Sequence, residues 1–283
     1  MRLGRIGAGV LALAMLGAGC TESVSEKEDP LAGDVIDEAR LSDLLLTAGD
    51  PRSAVTYFEQ AVAREPERAD FRRNLAISYS KAQRFPESAR VYQELMALGQ
   101  DRPSDRLDYA YVAVRLDRWD DAIALASSLP PELDTPRRHT LDAMIADHRQ
   151  DWEAADRAYA RAETLAPNPA EVLNNWGVSL MSRGDLDKAA ATFERAVSYD
   201  SRLFSAKNNL AIARGLQGEF AVPVVPLTDE ERAKILFNLG VIALRKEQTR
   251  TARGLFAAAV DTHPQHYQQA ADRLAALEAA VIN

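Results

Sequence analysis

At 283 residues the chain is long enough for two ordinary domains or one extended array, and its mixture of 47% hydrophobic but only 7% aromatic residues suits an alanine-rich helical array. A formal net charge of −8 makes it a poor candidate for wrapping nucleic acid. The lone cysteine, Cys20, excludes a disulfide within the chain and argues against a cysteine-based metal site.

Residues 1–19 read as a secretory leader: Arg2 and Arg5 supply a positive start, and Ile6 to Leu16 an apolar run too short to span a membrane comfortably. Leu16-Gly17-Ala18-Gly19-Cys20 then resembles a bacterial lipobox, in which small residues precede a cysteine that is lipid-modified and becomes the mature N-terminus. It departs from that pattern in having Gly17, not Leu, three residues before the cysteine. The resemblance implies lipidation at Cys20 and attachment to a membrane through acyl chains. Thr21 follows, where an aspartate would imply retention at the inner membrane, so the expected location is the outer membrane with the remaining chain in the periplasm. Residues 20–34 are acidic and poor in large apolar side chains, which predicts a flexible tether.

From Val35 onward one pattern recurs. Counted from Val35 it places Leu41, Ser42, Leu45, Ala54, Phe58, Ala61 and Pro66; counted from Ala69 it places Leu75, Ala76, Tyr79, Ser88 and Tyr92. From Pro103 it is weaker, with Tyr109, Ala110, Ala113 and Ala122. From Pro136 it gives Ala143, Ala155, Tyr159, Ala162 and Pro167, but Asp142 stands where leucine is expected. From Ala170 it gives Leu173, Trp176, Gly177 and Leu180, then Arg183-Gly184-Asp185, then Leu186, Ala189, Phe193 and Ala196. From Phe204 it places Leu210 and Ala211 and breaks down; from Ala233 it returns with Leu236, Leu239, Gly240, Ala252, Phe256, Ala259 and Pro264. Helical spacing within each half predicts two amphipathic helices joined by a tight turn. Gly177, Ala189 and Ala196 fall where the two helices must approach closely.

This pattern resembles the tetratricopeptide repeat, a helix–turn–helix unit of about 34 residues. The resemblance covers about residues 35–266. It implies an all-α fold, a right-handed superhelix of stacked helical hairpins. Phe85, Trp119 and Trp152 follow the turns of adjacent repeats and read as core plugs. Leu129-Pro130-Pro131 predicts a shortened second helix in the third repeat. Two prolines in Ala221-Val222-Pro223-Val224-Val225-Pro226-Leu227 predict an irregular extended segment over 219–228, replacing a second helix. Thr228 with Asp229, Glu230 and Glu231 predicts a helix start. Residues 267–283 predict a capping helix over the last repeat.

Catalysis has little support. The four histidines include His263 and His266 at a helix boundary with no third ligand indicated, and there is no phosphate loop or nucleophile elbow. No metal, cofactor or enzymatic activity is expected. The resemblance places the first helix of each repeat along an inner groove. There, the sixth repeat position is Asn74, Asn175, Asn209 and Asn238, with Asn174 and Asn208 beside two of them. Amides offer donors and an acceptor to the backbone of an extended peptide, and equally help to fix neighbouring helices. Lys81, Arg115 and Arg245 lie at one further groove position and suit an acidic partner segment.

The expectation is a non-enzymatic protein-binding scaffold. A lipobox followed by such an array resembles the TadD-type lipoproteins of the tight-adherence (Flp) pilus system, most of all over residues 208–240. That resemblance implies help in localising or assembling the outer-membrane secretin. The alternatives are a lipoprotein for outer-membrane protein assembly or cell-wall enzyme organisation, an enzyme subunit, and a cytoplasmic adaptor that keeps residues 1–19.

Overall fold

The computed structural model describes residues 38–282. The leader, Cys20 and the acidic segment lie outside the described residues. The chain divides into two units at Asp43 and Leu44. Of the first, residues 38–43 are described and are helical. The second carries the repeat array. In chain order the helices are α1 (Glu38–Thr47), α2 (Pro51–Arg64), α3 (Ala69–Lys81), α4 (Phe85–Ala97), α5 (Pro103–Arg115), α6 (Trp119–Ser127) and α7 (Pro136–His148). They continue as α8 (Trp152–Leu165), α9 (Ala170–Ser182), α10 (Leu186–Tyr199), α11 (Phe204–Gln217), α12 (Asp229–Arg245), α13 (Thr249–Thr262) and α14 (Gln268–Ile282). No strand occurs among the described residues.

Local chemistry sets the boundaries. Proline occupies the start of α2, α5 and α7, where its missing N–H costs nothing. Asp50, Thr135 and Asp151 cap α2, α7 and α8 by accepting from backbone N–H groups. The Thr228–Glu231 capping box opens α12 as the sequence predicts. Five of the hairpin turns pass through a left-handed residue, Gln83, Asp117, Gln150, Gly184 and Glu247, with φ between 57° and 88°. Only one of the five is glycine, so the turn geometry overrides the usual preference at the other four.

Packing follows the repeat. The aromatic residue of the second helix is buried in five hairpins: Phe58, Tyr92, Tyr159, Phe193 and Phe256 are each 0–2% exposed. Burying one such ring contributes about 1.5–3 kcal/mol. Gly177 and Gly240 receive two of these rings, since a Cβ at Gly177 would lie 2.5 Å from the Phe193 ring and one at Gly240 2.7 Å from Phe256. The third hairpin has Ala126 at the equivalent place, and α6 is only nine residues long. Leu129, just past its end, turns into the core instead.

After α11 the hairpin pattern breaks. Gly218 closes the helix in the left-handed conformation, φ 99°. Residues 219–228 then run without a helix, and Phe220, Val222 and Leu227 pack against Ala211, Ile235 and Leu239. At the far end, Ala270 of α14 is fully buried beside Leu236 and Ala259, and Leu274 and Leu277 cover Phe256. The last apolar face is thereby closed.

Candidate binding groove

First helices of successive repeats pack on one another, α3 on α5, α5 on α7, α7 on α9, α9 on α11 and α11 on α12; among the described residues no pair of second helices does so to a comparable extent. The helices that touch along the array form the shorter, inner arc, and so line its groove.

Side-chain bridges join these inner helices at every step. Arg73 of α3 meets the carboxylate of Asp105 on α5 at 2.7 and 2.8 Å, and both are nearly fully buried. Arg137 of α7 donates to Asp108 of α5 at 2.5 Å. Burial pushes the Asp108 carboxyl up, and the guanidinium only partly offsets this. Asp147 of α7 accepts from the Ser179 hydroxyl of α9 at 2.6 Å and from the Tyr159 hydroxyl at 3.0 Å. Its carboxyl is likewise raised by burial. Asn209 of α11 donates to Asn174 of α9 at 3.0 Å, and Asn238 of α12 to Asn208 of α11 at 2.7 Å.

The predicted asparagine row therefore has two kinds of member. Asn209 and Asn238 each spend one amide N–H on holding the neighbouring inner helix. Among the described residues no such bridge engages the side chains of Asn74 or Asn175, which remain half-buried in the groove. All four keep hydrogen-bonding capacity, since an amide has two donors and a two-lone-pair acceptor. The predicted bases differ too. Lys81 donates to the Leu46 carbonyl, and the Arg115 guanidinium lies 4.9 Å from the centroid of the Phe85 ring. Arg245 is exposed and makes no ion pair among the described residues. Phe85, Trp119 and Trp152 are half-buried rather than internal.

Sequence reasoning missed a pocket. Between α7 and α9 lies an open cavity of about 260 Å³, walled by Trp119, Met144, His148, Asn175, Val178 and Ser182. Asp147, Tyr159 and Ser179 form its floor. Trp119 and His148 stack face to face, with ring centroids 4.1 Å apart and an interplanar angle of 8°. The Trp119 N–H donates to Asp117 at 2.7 Å. Val178 is 40% exposed although it sits in the inner wall. A signal for this surface is present in the sequence at the ninth repeat position. That position reads Ile77, Tyr111, Met144, Val178, Ile212 and Val241, apolar in six successive inner helices. No group of three metal-binding side chains converges among the described residues.

The extended segment is fixed by a single buried amine. Lys207, 3% exposed on α11, donates to the Pro226 carbonyl at 3.0 Å and to the Glu231 carboxylate at 2.8 Å. Burial alone would raise the Glu231 carboxyl, but the bonds from Lys207 and the Thr228 N–H hold it below the usual range. Val224, at the crest of the segment, is fully exposed.

Tetratricopeptide repeat models match residues 40–105 and 170–203. Among solved structures, the fold resembles that in a crystal structure of the APC/C hetero-tetramer Cut9–Hcn1, with a TM-score of 0.57 and 17% identity over 88% of this chain and 50% of that one. The chain thus spans half the length of that protein. It also resembles a tetratricopeptide repeat protein from Parabacteroides merdae, with a TM-score of 0.55 and 14% identity over 84% of this chain and 96% of that one. At such identities the likeness is one of fold. No curated protein matches the chain. The chain carries tetratricopeptide repeats on an all-α superhelical array closed by a C-terminal capping helix.

Proposed function

We propose that this chain is a non-enzymatic scaffold that binds a protein partner in its inner groove while held at the outer membrane by lipid on Cys20. The observation that carries the binding reading is the groove itself. Its inner helices from α3 to α12 present apolar residues at the ninth repeat position beside amides with unspent donors and acceptors. The anchor reading rests on the lipobox-like residues 16–20. Within that frame, the resemblance of residues 208–240 to the TadD lipoprotein supports a role in tight-adherence (Flp) pilus biogenesis, in which the partner is the pilus secretin or another assembly component.

The test is affinity purification of the full-length lipoprotein from gently solubilised membranes, with mass spectrometry of what accompanies it. Recovery of a secretin and other pilus components, lost in an Asn74→Ala, Asn175→Ala chain of unchanged helicity, supports both pathway and groove. Outer-membrane assembly or cell-wall proteins in their place would keep the scaffold and discard the pilus role. A Cys20→Ser chain is expected in the soluble fraction, and its unchanged sedimentation with membranes would refute the anchor.

A further inference from the structure

The groove has one place where its surface is both concave and chemically distinctive. Two cavities share a wall made of the Trp119–His148 stack. On one side is the pocket of about 260 Å³ bounded by Met144, Val178 and Asn175. On the other is a more polar cavity of about 370 Å³, bounded by Asp117, Arg118, Asp120 and Asp121. Arg118 pairs with Asp121 at 2.5 Å, so the local charge left over is that of Asp117 and Asp120. The first cavity offers an indole, a thioether and an exposed valine. The second offers carboxylates beside the edge of the same indole.

We infer that this pair of cavities is the anchor subsite of the groove, and that it takes an extended segment carrying a large aromatic side chain followed within two residues by lysine or arginine. The inference rests on the groove being the binding surface. The aromatic ring enters between Met144 and Val178, where a polarizable sulfur and an indole favour a π-system over an aliphatic group of equal size. Asn175 at the rim faces the segment's backbone and pairs with its amide groups. The cation passes the Trp119–His148 stack and meets Asp117 and Asp120, gaining from the carboxylates. An acidic segment, which Lys81, Arg115 and Arg245 suggest from sequence, is repelled here. Lys81 and Arg115 are also already engaged elsewhere.

The test is selection of phage-displayed random dodecapeptides on the purified full-length chain in detergent micelles, followed by titration of the selected peptides by fluorescence anisotropy. The expected consensus is an aromatic residue with lysine or arginine one or two places after it. Val178→Arg fills the pocket with charge at an exposed site, and is expected to weaken these peptides by tenfold or more. Asp120→Lys is expected to weaken them about threefold and to remove the preference for a cation. Circular dichroism on both variants separates lost binding from lost fold, and Val178→Ala supplies a milder probe if Val178→Arg does not fold. Peptides that respond to Asn74→Ala and Asn175→Ala but not to either Val178 variant would overturn the pocket and leave the groove standing. An acidic consensus would overturn the cationic part. Peptides indifferent to all of these substitutions would overturn both readings.

Discussion

The α9–α10 hairpin and the stretch from α11 to residue 228 perform the same task by different means. Each must cover an inner helix whose apolar face would otherwise meet water. In the first, a regular helix does so, with the Phe193 ring seated on Gly177 where no Cβ fits. In the second there is no covering helix. Phe220, Val222 and Leu227 of an extended segment fill the space, and Lys207 ties that segment to the body. Inner helices keep their phase through the change, since α11 and α12 still pack together and Asn238 still reaches Asn208. The inner row is the invariant part of the array; the outer cover is replaceable.

That contrast is broken most sharply at Gly177. Replacing it with leucine puts a branched side chain into the Phe193 ring, a rigid neighbour that cannot swing aside. Gly177→Leu is expected to destabilise the array by about 3 kcal/mol through overpacking. A thermal melt followed by far-UV circular dichroism would show a clear fall in midpoint; an unaltered midpoint would mean that the hairpin is not held by this contact.

The extended side breaks more gently. Lys207→Met keeps the length of the stem but removes the donor to the Pro226 carbonyl and leaves the Glu231 carboxylate with the Thr228 N–H alone. The expected cost is about 2 kcal/mol, below that for a fully buried pair because Glu231 retains access to water. Amide hydrogen exchange should rise over residues 219–228 and not over α9–α10. The pH dependence has a definite sign. Glu231 is depressed in the folded chain, so its contribution is present above its unfolded value and is lost as pH falls through the lower folded one. The variant should therefore lose less stability than the parent between neutral pH and about 3. Parallel urea midpoints across that range would remove Lys207 from this role.

Much of this architecture was legible because the repeat is a local code. Gly177 opposite Phe193, the prolines that shorten α6, and Thr228 before three acids each state a backbone requirement within a few residues. The bridges were not legible. Arg73 with Asp105, Asp147 with Ser179 and Asn174 with Asn209 join residues 32 to 35 positions apart. Whether such side chains meet depends on the step from one repeat to the next, which no local pattern specifies. The asparagine row shows the consequence. Its positions are groove positions, but two of the four amides are partly consumed in holding the groove together. Trp119 read as a core plug for the same reason, because its stacking partner, His148, belongs to the next repeat.

The finest test of the contrast lies at Asp147, the regular region's counterpart of Lys207. Both are charged groups that lock one inner helix to its neighbour, but Asp147 is held by two hydroxyls rather than by an opposite charge. Its burial is therefore not compensated by a cation in direct contact, and its carboxyl is raised rather than lowered. A group raised in this way favours the fold in its protonated form. That contribution is complete below the unfolded value near 3.9 and is lost as pH rises through the higher folded value. Asp147→Asn does not titrate. It can accept from one hydroxyl and donate to the other, so at pH 7 its stability should lie within about 0.5 kcal/mol of the parent. Lowering the pH from 7 towards 4 should then move the balance in favour of the parent chain, opposite to the trend expected at Lys207. Urea midpoints of the two chains across that range provide the measurement. A difference that stays constant with pH would mean that Asp147 is solvated in the groove, and that the floor of the α7–α9 pocket is wetter than its two hydrogen bonds imply.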